Sequence, residues 1–285
     1  MPADAEAVYA AGWPEAALHD AVAVCALSSI PYAALFLGGL RAGVAVAPLA
    51  PSSTPESLVG MLNDCGAKVF FLDKGVSDAL APVAGQITAR RVALDASDAG
   101  IAFEDWLAPE GAVPAPVTVT PDQAFNIIYS SGTTGVPKGI VHSHGMRWRQ
   151  MTFRAAMNYG TESRTICSTP LYSNTTMAVF LPTMYSGGCA SLMGKFDVQK
   201  WLERASREHC THTMLVPVQY RRLMQFERFD DYDLSAMRMK YCTSAPFPAD
   251  LKAEVLARMP GGLIEIYGMT EGGVACIFPV HEHPD

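Results

Sequence analysis

This sequence has little charge and no excess of basic residues. Charged residues make up 17% of the 285 residues, and 28 Asp and Glu outweigh 21 Lys and Arg, giving a net charge of −7. The electrostatic signature of a nucleic-acid-binding protein is therefore missing. With 23 Gly, 20 Pro and no repeat, collagen-like and low-complexity chains are also excluded. The hydrophobic content of 49% instead predicts a folded chain with a substantial core.

Paired cysteines and a leader sequence are also missing. The seven cysteines are scattered and never form a C-x-x-C pair, which does not suit a disulfide framework. The first twenty residues lack the basic start and apolar stretch of a signal peptide. We therefore expect a cytoplasmic protein.

Residues 21–40 are uncharged over a length that could span a bilayer. Serines, a proline and glycines interrupt this segment, which divides into a strand at 22–27 and a helix at 31–40. A second buried strand at 44–49 follows. The pattern predicts a buried strand–helix–strand unit and no membrane span.

Short apolar strands alternate with helices along the rest of the chain. Strands are predicted at 69–72, 92–94, 125–129, 214–216, 239–243 and 263–266. Helices are predicted at 55–65, 144–159, 198–208, 219–226 and 248–259. This alternation predicts a layered α/β domain with largely parallel sheets flanked by helices. We expect a first part over 1–120 and a second over 121–285, joined by a connector at 114–121.

In such folds, ligands gather at the carboxyl ends of strands. The strand at 125–129 is followed by four hydroxyls, three glycines and a lysine: Ser130, Ser131, Gly132, Thr133, Thr134, Gly135, Lys138 and Gly139. Glycines let backbone N–H groups approach an anion, and the hydroxyls and the lysine add further donors. This set predicts a polyphosphate site. It differs from a Walker A loop because glycine follows the lysine. A polar hairpin loop is the alternative.

Two further strand ends carry candidate ligand-binding loops. One contains Ser244, Ala245 and Pro246, small residues on which a flat ring could lie; a plain turn is the alternative. The other contains Tyr267, Gly268, Met269, Thr270, Glu271 and Gly272. Its tyrosine could stack on a base and its carboxylate could hold magnesium, although a glycine-rich turn with a solvated glutamate would look similar. Together the three loops predict a site for a nucleoside triphosphate with its metal.

These loops resemble the signatures of a known family. YSSGTTGVPKG at 129–139 resembles the phosphate-loop signature of the adenylate-forming superfamily, the acyl-CoA synthetase or AMP-binding group. YGMTE at 267–271 resembles its second signature. Weaker resemblances cover 37–49, the PLY segment at 170–172 and the adenine-side loop at 243–247. On this basis the chain is identified as part of the N-terminal large domain.

The resemblance implies a two-step acid–thiol ligase. A carboxylate would attack the α-phosphate of ATP, giving an acyl-adenylate and pyrophosphate, and coenzyme A would then take the acyl group. Catalytic roles would fall to Lys138, Thr270 and Glu271, and Mg²⁺ would bind Glu271 and Thr134. The nucleotide would contact residues from all three loops: Ser130, Ser131, Gly132, Thr133, Thr134, Gly135, Lys138, Ser244, Ala245, Pro246, Tyr267, Gly268, Met269 and Thr270.

The resemblance also implies a pocket for the acid, formed by Tyr172, Ser173, Asn174, Thr176, Val216 and Gly272. Its mixed chemistry leaves aryl, fatty and branched acids open. Family members are nearly twice this long, and a ribose-binding acidic motif, a hinge and the small C-terminal domain with its lysine are missing. We therefore expect a truncated form. Adenylation for a carrier-protein thiol, a non-catalytic nucleotide-binding fragment and a homodimer stay open.

Four groups of other residues attract attention without forming a motif. His142 with His144, His281 with His283, and the 209–212 cluster do not complete a zinc set, so structural histidines are expected. Arginines are expected on a solvated face of the helix at 144–159 (Arg147, Arg149 and Arg154). Large apolar residues of the same segment are expected to pack: Met146, Trp148, Met151, Phe153 and Met157. Arg221 and Arg222 are expected to face water rather than a CoA phosphate.

Overall fold

The computed structural model describes residues 21–130, 137–156, 158–271 and 273–283. The chain divides into two compact units, Met1–Trp148 and Arg149–Asp285. Each unit contains one largely parallel sheet flanked by helices, which confirms the predicted α/β class.

The first unit is built on seven strands. They are β1 (Ala21–Cys25), β2 (Ala45–Pro48), β3 (Val69–Leu72), β4 (Arg90–Ala93), β5 (Ile101–Ala102), β6 (Ala124–Ser130) and β7 (Lys138–Ser143). Its helices are α1 (Ile30–Arg41), α2 (Pro55–Asp64), α3 (Lys74–Leu80) and α4 (Phe103–Trp106), with a 3-10 turn at Ala81–Gln86. Helix α5 (His144–Ala155) contains the unit boundary.

The strand order of the first sheet is β5-β4-β3-β1-β2-β6-β7. Neighbouring strands are parallel except β6 and β7, which pair antiparallel with Ser130 opposite Lys138. Every residue of the central strand β1 is buried, as expected for a sheet covered on both faces. The glycine-rich loop thus joins two antiparallel strands. This is the connectivity of a hairpin, which was the alternative interpretation of the loop. Strand β7 was not predicted.

The uncharged segment at 21–40, which is long enough to span a bilayer, forms β1 and most of α1. In the part of the chain that the structure describes, no helix combines the length and the hydropathy needed to cross a bilayer.

The second unit contains six strands. They are β8 (Arg164–Cys167), β9 (Cys189–Leu192), β10 (His212–Leu215), β11 (Met239–Cys242), β12 (Gly262–Met269) and β13 (Gly273–Pro279). Its helices are α6 (Asn174–Tyr185), α7 (Val198–Arg207), α8 (Pro217–Met224) and α9 (Ala249–Arg258), with 3-10 turns at Phe229–Asp231 and Val280–Glu282.

The second sheet has the order β13-β12-β11-β10-β8-β9, and only β12 and β13 pair antiparallel. Strand β12 continues through Met269, so the prediction that a loop begins at Tyr267 was wrong. The reason is pairing with β13, which was not predicted and extends the ladder to Met269 and Gly273. The core below this sheet includes Trp201, Tyr220 and Phe229, which are at most 2% exposed.

Alanine at Gly261 is expected to destabilise the second unit by about 3 kcal/mol or more, because two costs add. Gly261 has φ +79°, in the left-handed region, and a Cβ there would overlap the carbonyl oxygens of Arg238 and Met237. Gly66→Ala is the matched control: φ is +63° but the space is open, so about 1 kcal/mol is expected. Urea unfolding of both variants measures the difference, and equal losses would show that the contacts with backbone oxygens do not matter.

Candidate functional site

The base of the glycine-rich hairpin is tied to helix α2. The Tyr129 hydroxyl donates to Asp64 Oδ2 at 2.6 Å, and the Met61 carbonyl oxygen lies 3.1 Å from the same hydroxyl. Burial, with a contribution from Asp64, raises the pKa of Tyr129, so it stays a neutral donor. A Cβ on Gly139, opposite Tyr129 in the ladder, would lie 3.1 Å from Asp64 Oδ2. Glycine at this position therefore permits the close packing of the hairpin on the end of α2.

The described ends of this loop are Ser130, which is half-buried, and Lys138, which is exposed. Lys138 begins β7 and pairs with Ser130, so the two side groups with phosphate-binding chemistry start from adjacent strands. The other predicted phosphate contacts lie outside the described residues: Ser131, Gly132, Thr133, Thr134 and Gly135.

The arginines of α5 do not form one solvated face, and this prediction was wrong. Arg147 is 2% exposed and Arg154 is 8% exposed, whereas Arg149 is exposed. Burial lowers the pKa of Arg147 to about 10, so its guanidinium stays charged at neutral pH. Trp148 and Phe153 are more than half exposed, against the packing expected of them, and Met157 lies outside the described residues.

The predicted acid-pocket segment precedes and begins α6. Ser173 caps the helix by accepting a hydrogen bond from the Thr175 N–H, and Tyr172, Ser173 and Asn174 are half-buried. Thr176 is fully buried; its hydroxyl lies 2.7 Å from Thr169 Oγ1 and donates to the Pro170 carbonyl at 2.6 Å. The hydrogen bonds of Thr176 therefore stabilise the segment between Thr169 and Thr176. Val216, half-buried, is the N-cap of α8.

Side-chain hydrogen bonds connect the candidate segments of the second unit. Thr175 Oγ1 lies 3.0 Å from Ser244 Oγ, which joins the start of α6 to the loop after β11. The Thr243 hydroxyl donates to the Ile266 carbonyl at 2.7 Å, which joins that loop to β12. Ser244 has φ +79°, a conformation that costs a non-glycine residue on the order of 1 kcal/mol and is concentrated at functional sites. Ala245 and Pro246 follow it in exposed positions.

The YGMTE segment presents its side chains to solvent. Tyr267 is 69% exposed and Met269 60% exposed on β12, and Gly268 between them is exposed as well. Thr270 is half-buried and Glu271 exposed at the turn that follows, while Gly272 lies outside the described residues. An exposed aromatic ring can stack on a base, and an exposed carboxylate suits a hard cation such as magnesium.

Several of the described histidines are engaged in packing or hydrogen bonds. His212, whose pKa burial lowers to about 4, donates from Nε2 to the Asn158 carbonyl at 3.0 Å and accepts from Thr211 at 2.7 Å. His281 contacts the Leu263 backbone, and the His144 ring meets Phe125 edge-on. Among the described residues, no three His, Cys, Asp or Glu side chains form a group able to hold a metal ion. Arg221 and Arg222 are exposed.

Sequence reasoning missed Asp64, Thr175 and Asn126 as residues that support the candidate site. Asp64 and Thr175 contact residues 65 and 69 positions away, and no local pattern signals such contacts. Asn126 in a run of apolar residues was the one available signal, because a fully buried amide needs hydrogen-bond partners.

The chain is similar to known acid–CoA ligases. It is 33% identical to feruloyl-CoA synthase of Amycolatopsis sp over 162 residues, 55% of this chain and 32% of that protein. It is 28% identical to 4-coumarate–CoA ligase 3 of Oryza sativa subsp. japonica over 254 residues, 85% of this chain and 45% of that protein. The structure of ATP-bound MatB from Rhodopseudomonas palustris matches 97% of this chain and 56% of MatB with a TM-score of 0.82 and 27% identity.

This chain thus spans between about a third and just over half of the length of these relatives. The sequence profile described as AMP-binding enzyme matches residues 16–285, which is nearly the whole chain. The chain therefore belongs to the AMP-binding enzyme family.

Proposed function

We propose that this chain carries nucleotide- and acid-binding parts of an ATP-dependent ligase that joins an aromatic carboxylic acid to coenzyme A. The observation that carries the proposal is the hydrogen-bonded linkage of the acid-pocket segment, the 243–246 loop and β12. Two of the relatives named above act on hydroxycinnamic acids, by their names, which favours an aromatic substrate.

In this proposal, each loop has a separate task. Ser130, Lys138 and the intervening residues bind the β- and γ-phosphates, where fixed donors and a positive charge meet the charge that spreads in the first step. Tyr267 stacks on the adenine, with Ser244, Ala245 and Pro246 beside it and Gly268 and Met269 completing the strand. Thr270 contacts the α-phosphate.

Glu271 and Thr134 would hold magnesium, which neutralises phosphate charge when bound. The exposed carboxylate of Glu271 has the chemistry this ion prefers. The acid pocket is formed by Tyr172, Ser173, Asn174, Thr176, Val216 and Gly272, with the buried Thr176 hydroxyl bonded to the segment before it. All seven cysteines are free thiols, which suits a reducing cytoplasm.

The proposed reaction balances in two steps. The carboxylate oxygen of the acid bonds to the α-phosphorus as the bond to the β-phosphate oxygen breaks, releasing pyrophosphate. The CoA sulfur then bonds to the acyl carbon as AMP leaves, and the thiol proton passes to solvent or a base. Lys138 and the backbone donors act in the first step only.

Pyrophosphate exchange into ATP, driven by an added acid, tests the proposal on the full-length protein. We expect exchange with hydroxycinnamic and arylacetic acids at least about tenfold faster than with straight-chain acids of the same length. An aromatic ring and a straight chain differ in the pocket volume they fill by several methylene groups, and each methylene group in a hydrophobic pocket changes the rate markedly. Exchange with the straight-chain acids alone would overturn the aromatic assignment. No exchange with either group would overturn the ligase.

A further inference from the structure

A cluster of three buried polar residues lies across the two strands that carry the phosphate loop. Asn126 on β6 and His142 on β7 face each other in the antiparallel ladder and are both 0% exposed. Arg147, in the first turns of α5, is 2% exposed. All three belong to the first compact unit.

Arg147 contacts both members of this strand pair. Its Nε donates to Asn126 Oδ1 at 3.1 Å, and its Nη2 donates to His142 Nδ1 at 2.9 Å. A guanidinium has donors only, in a planar and rigid arrangement. One side chain therefore fixes the distance between opposite residues of β6 and β7.

The same contact fixes the proton position on His142. Because Arg147 can only donate, Nδ1 of His142 must accept and carry no proton, which leaves the neutral Nε2–H tautomer. A protonated His142 would place an N–H against the guanidinium and lose the bond. The cluster therefore requires an uncharged histidine.

The first turn of α5 is itself anchored, which gives Arg147 a fixed base. The His144 N–H donates to the Gln123 carbonyl at 2.9 Å, and the Gly145 N–H donates to that of Pro121 at 2.7 Å. A Cβ on Gly145 would lie 3.0 Å from the Pro121 carbonyl oxygen, so the close approach depends on glycine. The helix is thus held against the residues just before β6.

The hairpin needs such a support next to Asn126. The ladder between β6 and β7 is irregular between Ala124 and Asn126, directly beside the cluster. A slip of pairing by one residue would turn every following side chain to the other face. Ser130 and Lys138 lie at the far end of the same ladder, so their spacing follows from this register.

We propose that Arg147 is a positioning residue for the phosphate loop: by bridging Asn126 and His142 it sets the β6–β7 register and so the placement of Ser130 and Lys138. This inference rests on the proposed function. Asn126, which Arg147 contacts, lies four residues from Ser130 on β6, roughly 13 Å along the strand, so Arg147 acts through the strands and not on the nucleotide.

Arg147→Met in the full-length protein tests the proposal, with Arg149→Met, an exposed arginine of the same helix, as the matched control. The expected result is a rise of about 10- to 100-fold in KM for ATP, because misplacement by about 1 Å has effects of that size. KM for the acid should stay within about twofold. Arg149→Met should match the wild type in both.

His142→Phe removes the acceptor but keeps a ring, and it covers the case that Arg147→Met does not fold. The same selective rise in KM for ATP is expected. Nitrogen NMR of the wild type should show His142 with an unprotonated Nδ1, and this signal should change in Arg147→Met. Equal changes in both KM values, or a loss of thermal stability with unchanged KM for ATP, would overturn the positioning role.

The design separates this proposal from the proposed ligase function. A wild-type protein without acid-driven exchange would contradict the ligase alone, since ATP affinity and the His142 tautomer can still be measured. A wild type that exchanges, together with an Arg147→Met variant of normal KM for ATP, would contradict only the role of Arg147.

Discussion

Replacing Glu271 with glutamine is expected to slow acid-driven pyrophosphate exchange about 100-fold or more. Glutamine keeps the size and the oxygen of the side chain but removes the charge that a magnesium ion requires. Removal of one preorganised electrostatic contact costs on the order of 100- to 1,000-fold in enzymes that stabilise developing anionic charge. Glu271 lies exposed at the turn after β12, so the change leaves no buried group without a partner.

The expected loss of exchange activity should depend on the magnesium concentration. If Glu271 binds magnesium, the variant should need a higher magnesium concentration for half-maximal exchange, and Glu271→Asp should fall between glutamine and the wild type. Exchange rates measured across a magnesium titration give both quantities. The melting temperature should be unchanged, since an exposed substitution rarely shifts stability by more than about 0.5 kcal/mol.

Glu227→Gln is the matched control, because Glu227 is also exposed but lies far in sequence from the signature segments. It should exchange at the wild-type rate. An equal rate for Glu271→Gln and the wild type at every magnesium concentration would exclude Glu271 from metal binding and return the YGMTE turn to a structural role.

Elements with strong local signals were predictable from the sequence. Helix α2 begins at Pro55, as predicted, with Thr54 accepting from the Ser57 N–H as its cap, and β3 has the predicted bounds Val69–Leu72. Helix α6 was missed because most of it is buried and Pro182 lies inside it, so it has no polar face that would produce a helical period. Edge strands β7 and β13 were missed because their pairing comes from distant contacts, and β7 shares Lys138 with the loop signature.

The supporting residues of the site show where sequence reasoning ends. Arg147 and Arg149 are two residues apart and so about 200° apart around a helix, which means they could not share a face. Arg147 and Arg154, seven apart, do share one, and both are buried. The spacing thus predicts that Arg147 and Arg154 share a face from which Arg149 is absent. Which of the two faces is buried depends on the packing of β6 and β7 against α5, and no local sequence pattern indicates that contact.

Lys240 is a buried charged residue whose replacement has a large expected effect on stability. It lies on β11 with 0% exposure, and its ammonium donates to three backbone carbonyls after α9, those of Met259 (3.1 Å), Pro260 (2.6 Å) and Gly261 (2.7 Å). A cation at a helix C-terminus also interacts favourably with the helix dipole. One side chain therefore satisfies the three carbonyl groups that follow the helix.

Lys240→Met is expected to lower the free energy of unfolding by about 3 kcal/mol at pH 7, because buried carbonyls left without donors cost about 1–3 kcal/mol each and the relieved desolvation of the charge offsets part of this. Burial lowers the pKa of Lys240 from 10.5 to about 8. Between these values the unfolded chain holds a proton that the folded chain has lost, so the contribution of Lys240 to stability increases as pH rises.

The difference in stability between wild type and Lys240→Met should therefore grow by about 1–2 kcal/mol from pH 8 to pH 9.5, since one pKa unit corresponds to about 1.4 kcal/mol. Other titrating groups cancel in this difference, which urea unfolding at each pH measures. Lys200→Met, at an exposed lysine of α7, should change stability little and show no pH trend. If the stability difference between wild type and Lys240→Met stays constant across the pH range, the three carbonyls keep Lys240 protonated despite its burial. If that difference is near zero, the carbonyls find other donors in the variant.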